Sequence, residues 1–161
     1  MIKKLSTSIT FLILISMILT SCKKYPEGPT ISFRTVQGRL TGEWEIIEFN
    51  IDGQDFMDSL KNHPAYCTYD INAKQEGSFS LVKSCSDGAF GGEIILVNKE
   101  KIYMSAYYPN PTNPFGPLND DSVSVHWDII RLTNKEMKLR TDFTDGKEYE
   151  ISFDKIKNNH S

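Results

Sequence analysis

The strongest constraint on the fold is an alternation of apolar and polar residues with a period of two, which recurs along most of the chain. Successive side chains of a β-strand point to opposite faces, so this alternation is typical of strands that have one buried and one solvated face. It predicts about eight strands. They lie at 40–51, 66–73, 78–84, 93–97, 101–108, 122–132, 136–143 and 147–156.

The connections between these segments indicate how the strands are arranged. Most are short and rich in turn residues, which favours antiparallel pairing of strands that follow one another in sequence. Residues 56–61 predict one short helix after the first strand, and no long helical period appears elsewhere. A chain of 161 residues with 24% charged residues fits one compact domain. The sequence therefore predicts an all-β domain, either a barrel or a sandwich.

The last two strands can be joined in two registers. A two-residue loop at Asp145 and Gly146 would set apolar residues opposite charged ones. A three-residue loop that begins at Thr144 and has Gly146 in the left-handed conformation matches apolar residues across the hairpin, and we prefer it. This register pairs Thr141 with Tyr149, Leu139 with Ile151 and Met137 with Phe153.

Two cysteines lie at the outer ends of another predicted hairpin, whose turn is at 74–77. The register that places Cys67 opposite Cys85 also aligns the apolar residues, pairing Ile71 with Leu81 and Ala73 with Phe79. Directly opposed strand residues have the Cα spacing that a disulfide requires, so we predict the bond. Two buried free thiols or a metal-binding pair are the alternatives. Lys83 does not fit, because it falls on the apolar face.

The N-terminus has the architecture of a signal peptide. Lys3 and Lys4 precede the apolar run 9–19, which is shorter than the ~20 residues that span a bilayer. The sequence Leu-Thr-Ser-Cys at 19–22 resembles the lipobox of bacterial lipoproteins. That resemblance implies cleavage before Cys22 and attachment of diacylglycerol to its sulfur. An ordinary secretory peptide that ends beside a cysteine is the alternative.

The lipoprotein resemblance also implies a location. Lys23 replaces the aspartate that is associated with inner-membrane retention, and no acidic surface-display tag follows it. We therefore expect a lipid-anchored protein of the outer membrane that faces the periplasm, where disulfides persist. The predicted division is a signal peptide at 1–21, a lipidated tether at 22–37, a barrel domain at 38–157 and a tail at 158–161.

The first predicted strand opens with Gly-Glu-Trp at 42–44, which matches the G-x-W element of lipocalins. Together with the lipobox, the two cysteines and Trp127, this pattern resembles the lipocalin-like lipoproteins of bacterial envelopes. The resemblance covers most of the chain after Cys22 and implies an up-and-down barrel of about eight strands. In lipocalins an arginine packs over the G-x-W tryptophan, and Arg131 and Arg140 are the candidates for that position here.

No residue pattern indicates catalysis. The three histidines lie in no recognisable motif, and no metal-ligand spacing is present. Gly88, Gly91 and Gly92 are not followed by a helix, so we expect them to bend the chain between strands rather than to hold a phosphate. A net charge of −3 gives no electrostatic reason to expect a nucleic-acid partner. We expect neither an enzyme nor a bound metal or cofactor.

Two features favour binding. The first is the barrel interior, which would hold one small apolar ligand unless its side chains fill it as a packed core. The second is the proline-rich segment 107–118, in which Tyr107, Tyr108 and Phe115 would contact an envelope protein, as in an assembly or inhibitor module, unless it is a simple crossing loop. The predicted interior residues are Trp44, Tyr69, Phe79, Trp127, Leu139, Phe143, Tyr149 and Phe153.

Overall fold

The structure, a computed structural model, describes residues 25–27, 34–63, 66–85, 88–106 and 125–157. Helix α1 (Val36–Leu40) precedes the first strand, and helix α2 (Met57–Lys61) follows the short second one. The strands are β1 (Gly42–Ile51), β2 (Gln54–Asp55), β3 (Cys67–Gln75), β4 (Ser78–Cys85), β5 (Gly88–Leu96), β6 (Lys101–Ala106), β7 (Val125–Leu132), β8 (Glu136–Asp142) and β9 (Glu148–Lys155).

The strands form one closed antiparallel barrel. From β3 to β9 each strand pairs with the next, while β1 pairs with both β3 and β9 and so closes the sheet. The two-residue strand β2 only extends the end of β1, so eight strands make the wall. The predicted barrel is confirmed, as is the short helix after the first strand, and the sandwich alternative is excluded.

Both predicted hairpin registers are confirmed. Cys67 and Cys85 form a disulfide between directly opposed residues of β3 and β4. The last hairpin pairs Thr141 with Tyr149 and turns through Gly146 at a φ of 80°, as the three-residue loop requires. Apolar side chains of these strands point inward and their polar neighbours point outward, because the period of two has the same phase on paired strands.

Two sequence-based boundaries are wrong. The first strand begins at Gly42 rather than residue 40, because the preceding residues form helix α1, where the Thr35 hydroxyl accepts a hydrogen bond from Gly38 N at 3.1 Å. The glycines at 88, 91 and 92 lie inside β5 rather than in a bend. All of β4 pairs with residues 88–95 of β5, and this ladder keeps the three glycines in the strand despite their weak strand preference.

Residues 25–27 lie against the barrel, although the sequence places them in the tether. The Tyr25 side chain is buried, with the Arg39 guanidinium 5.4 Å from its ring centroid. Glu27 N donates to the Ile130 carbonyl at 3.1 Å, and the Glu27 carboxylate lies 3.5 Å from Lys138 Nζ. This short segment is therefore part of the packed domain. The predicted signal peptide at 1–21, Cys22 and the tail at 158–161 lie outside the described residues.

The antiparallel order gives the barrel two distinct ends. The α1 end carries helix α1 and the connections after β3, β5 and β7. The disulfide end carries helix α2, the Cys67–Cys85 bond and the turn at 143–147. Neither helix in the described ranges has the length and apolar character needed to cross a membrane.

Candidate functional site in the barrel interior

Large side chains from the strands converge inside the barrel. Phe143 is the exception among the predicted interior residues, because it follows the end of β8 and is only half-buried, with its ring edge-on to that of Tyr149 at 6.0 Å. The other predicted residues belong to one apolar cluster. They are Trp44, Tyr69, Phe79, Trp127, Leu139, Tyr149 and Phe153, each at most 1% exposed.

At the α1 end, hydrogen bonds fix the G-x-W tryptophan and the helix that precedes it. Trp44 Nε1 donates to the Leu40 carbonyl at 2.8 Å. Lys155 Nζ donates to the carbonyls of Arg39 at 2.9 Å and Thr41 at 2.6 Å, and lies 4.7 Å from the Trp44 ring centroid. One inward lysine thus caps the C-terminal carbonyls of α1 and packs on the tryptophan.

Neither predicted arginine packs over Trp44. Arg131 pairs with Glu136 at 2.6 Å, and Arg140 pairs with Glu150 at 2.8 Å. Lys155 takes the position because it is the strand partner of Trp44 and continues the inward phase of β9.

Glycine is required where Lys155 crosses the start of β1. Gly42 has a φ of 132°, and a Cβ atom there would lie 2.9 Å from Lys155 Cε. Burial lowers the pKa of Lys155, and Arg34 adds to this effect. The carbonyl acceptors and the tryptophan ring compensate for the cost of removing the partly buried ammonium from water.

Tyr69 carries a buried hydroxyl whose bonding differs from that of these α1-end groups. Its side chain is 1% exposed and its ring stands edge-on to that of Phe153 at 5.3 Å. Its Oη has no hydrogen-bond partner among the described residues. Burial raises the pKa of Tyr69, so the phenol stays protonated at neutral pH and keeps an O–H donor.

Lys83 lies beside the Tyr69 ring on the same hairpin. It is the strand partner of Tyr69 and is 2% exposed, so it points inward as the period of two predicts. Its Nζ lies 5.8 Å from the Tyr69 ring centroid. Strands β3 and β4 thus bring a phenol and an amine together on an otherwise apolar wall.

Tyr149 provides the internal contrast to Tyr69. It is equally buried, but its Oη donates to Asp145 Oδ2 at 2.6 Å. One nitrogen each of Arg39 and Arg131 also lacks a partner in the described part of the chain, yet other nitrogens of those guanidinium groups make a hydrogen bond or an ion pair. Tyr69 has no second polar atom on its side chain, so its hydroxyl is the candidate contact for a ligand.

The other candidate residues give no second site within the described part of the chain. His126 is exposed and its ring centroid lies 3.5 Å from that of Tyr103. No cluster of three or more histidines, cysteines or acids that could hold a metal occurs among the described residues. The predicted loop residues Tyr107, Tyr108 and Phe115 lie outside them.

No family model matches the chain. No curated protein matches it either. A redesigned β-barrel covers 79% of this chain and 100% of its own length at 13% identity and a TM-score of 0.47. A de novo designed fluorescence-activating β-barrel covers 77% of this chain and 100% of its own length at 16% identity and a TM-score of 0.43.

Proposed function

We propose that this protein is a non-enzymatic, lipid-anchored envelope lipoprotein whose lipocalin-like barrel binds one small apolar ligand. The observation that carries the binding proposal is the buried Tyr69 hydroxyl, which has no hydrogen-bond partner among the described residues. The ligand has an apolar body that contacts the aromatic wall and one oxygen that accepts a hydrogen bond from Tyr69 Oη. Small-molecule sites combine these two features, an apolar lining and a few placed polar groups.

The energetic argument rests on the cost of an unpaired hydroxyl. A buried donor without an acceptor costs about 1–3 kcal/mol, because it loses its hydrogen bonds to water. An acceptor atom on a ligand removes that cost, so the site favours ligands that carry one over pure hydrocarbons.

Native mass spectrometry of protein purified gently from membranes tests the binding proposal. We expect a co-purifying small molecule on the wild type and less of it on Tyr69→Phe, which removes the hydroxyl and keeps the ring. Tyr149→Phe is the matched control, because its hydroxyl is already satisfied by Asp145. If Tyr69→Phe and the wild type carried the small molecule to the same extent, the Tyr69 hydroxyl would not contribute to binding.

The lipid anchor is supported by the lipobox resemblance at 19–22. We expect Cys22→Ser to abolish acylation and lipoprotein cleavage, because the thioether can form only on that sulfur. Metabolic labelling with a fatty-acid analogue measures this. Label retained at the wild-type level would mean that the anchor lies elsewhere.

A second candidate function is an envelope interaction module with a solid core, such as an assembly or inhibitor lipoprotein that acts through the loop at 107–118. The edge-on contact of Tyr69 with Phe153 favours it, because such ring pairs are typical of packed cores. Absence of any co-purifying small molecule, together with a protein partner that is lost when 107–118 is replaced by a Gly/Ser linker, would favour this function over ligand binding.

A further inference from the structure

The N-terminal segment 25–27 is attached to the α1 end of the barrel. Tyr25 is buried beside Arg39 of helix α1, and it lies in a surface cavity that Glu100 and Lys101 also line. On the outer wall, the Glu27 backbone is hydrogen-bonded to Ile130 and its carboxylate pairs with Lys138. Residues 25–27 therefore pack on the part of the barrel next to α1.

The attachment leaves little chain between the barrel and the proposed lipid anchor. Cys22 precedes Tyr25 by three residues, which span at most about 11 Å when fully extended. A free tether over 22–37 would be several times longer and would allow every orientation of the barrel. The packed segment thus holds the α1 end close to the lipid.

The exposed charges of the two ends differ in sign. Among the described exposed residues of the α1 end, the acids are Glu27, Glu76, Glu100 and Asp128, and Asp128 pairs with Lys101 at 3.1 Å. The cations are more numerous: Arg34, Lys74, Lys99, Lys101, Lys135 and Lys157. At the disulfide end, the described exposed cations are Lys61 and Lys147. The exposed acids are more numerous: Asp52, Asp55, Asp58, Asp142, Asp145 and Glu148.

We infer that the α1 end is a lipid-facing surface and that the disulfide end points away from the membrane. This orientation rests on the proposed lipid anchor at Cys22. Basic side chains are attracted to anionic headgroups within about a Debye length, ~10 Å at 0.1 M salt, and acidic side chains are repelled. The short connection to the lipid and the charge asymmetry therefore act in the same direction.

Depth-dependent fluorescence quenching tests the orientation. The full acylated protein is placed in vesicles of phosphatidylethanolamine and phosphatidylglycerol that contain a nitroxide-labelled lipid. One fluorophore is attached through Lys135→Cys at the α1 end or through Asp58→Cys on α2, both of which are exposed positions. The native cysteines do not react, because Cys67 and Cys85 are bonded and Cys22 is acylated. We expect several-fold stronger quenching at position 135 than at position 58.

Two further variants separate the causes of the orientation. A Gly/Ser insertion of about ten residues between Lys24 and Tyr25 gives a flexible connection and should reduce the quenching difference. Lys99→Glu with Lys157→Glu should also reduce it, by reversing charge at the α1 end. The matched control, Lys61→Glu with Lys147→Glu at the disulfide end, should leave the difference unchanged.

The outcomes distinguish a wrong orientation from a wrong assignment of the lipid anchor. Mass spectrometry establishes whether the protein is acylated. Equal quenching at both positions of an acylated protein would overturn the orientation and leave the anchor intact, whereas an unacylated protein would overturn both. Equal quenching in vesicles with protection of position 135 in intact envelopes would indicate that a protein, rather than lipid, covers the α1 end.

Discussion

The inward polar groups at the α1 end differ in their hydrogen bonding from those on the barrel wall next to the disulfide. At the α1 end, Trp44 Nε1 and Lys155 Nζ donate to backbone carbonyls of helix α1 and of the residue that follows it. On the β3–β4 hairpin, Lys83 lies over the ring of Tyr69, whose hydroxyl has no partner among the described residues. The first arrangement closes a barrel end, while the second leaves a buried donor without a described acceptor.

Removal of the disulfide should have the largest effect on this contrast. The bond closes a loop with a sequence separation of 18, so Cys67→Ala with Cys85→Ala should lower the free energy of unfolding by ~3 kcal/mol. Denaturant unfolding of the oxidised wild type and the variant measures the difference. A loss well below 1 kcal/mol would show that the β3–β4 ladder holds this end without the bond.

Removal of the Lys155 ammonium should have the next largest effect. Lys155→Met keeps most of the apolar stem but leaves the carbonyls of Arg39 and Thr41 without their donor, so we expect a loss of about 2 kcal/mol. The exposed Lys157→Met is the matched control and should change stability little. Equal stability of both variants would mean that Lys155 does not close the α1 end.

The two interior tyrosines should respond in opposite ways to loss of the hydroxyl. Tyr149→Phe breaks the bond to Asp145 and should cost about 1 kcal/mol. Tyr69→Phe removes a buried group without a described partner and should leave stability unchanged or raise it. Thermal unfolding of ligand-stripped protein measures both, and a loss at Tyr69 that matched the loss at Tyr149 would indicate that the Tyr69 hydroxyl is already satisfied.

The smallest expected effect concerns pH and the outer wall beside Glu27. Burial acts to raise the pKa of Glu150, but hydrogen bonds from Arg140 and Lys138 outweigh it and hold the pKa below its ordinary value of 4.5. The folded state therefore gains stability above pH 4.5 and loses it as the pH falls through the lowered value.

Glu150→Gln measures that contribution. We expect the variant to be less stable than the wild type by under ~1 kcal/mol at pH 7, because the network is partly solvated. The difference should shrink as the pH falls below 4.5. The exposed Asp58→Asn is the control, and a difference for Glu150→Gln that stayed constant down to pH 2 would assign the effect to packing rather than to charge.

The fold was predictable where the alternation and turn residues agreed. The pairs Cys67–Cys85 and Thr141–Tyr149 follow from local patterns, because a shift of one residue would turn the apolar side chains outward. Helix α1 is too short to show a helical period, and β5 begins with glycines that carry no side-chain pattern. The burial of Tyr25 depends on Arg39, which no local pattern connects to it.

The candidate site was only partly predictable for a similar reason. Strand phase indicates that Tyr69, Lys83 and Lys155 point inward, and the sequence already marked Lys83 as a misfit. Whether an inward hydroxyl has a partner depends on residues from distant strands and turns. Asp145 satisfies Tyr149 through the last hairpin, and no described residue reaches the hydroxyl of Tyr69.

Calorimetric titration of the ligand-stripped barrel with a small apolar alcohol or ketone tests the central claim most directly. The measurement compares the wild type, Leu139→Trp, which enlarges a fully buried wall residue, and Ile95→Trp, which enlarges an exposed one. We predict saturable binding to the wild type and Ile95→Trp, and none to a Leu139→Trp protein that keeps its melting temperature. No saturable binding to the wild type, with Leu139→Trp destabilised by about 1–3 kcal/mol through overpacking, would contradict the account and identify the interior as a solid core.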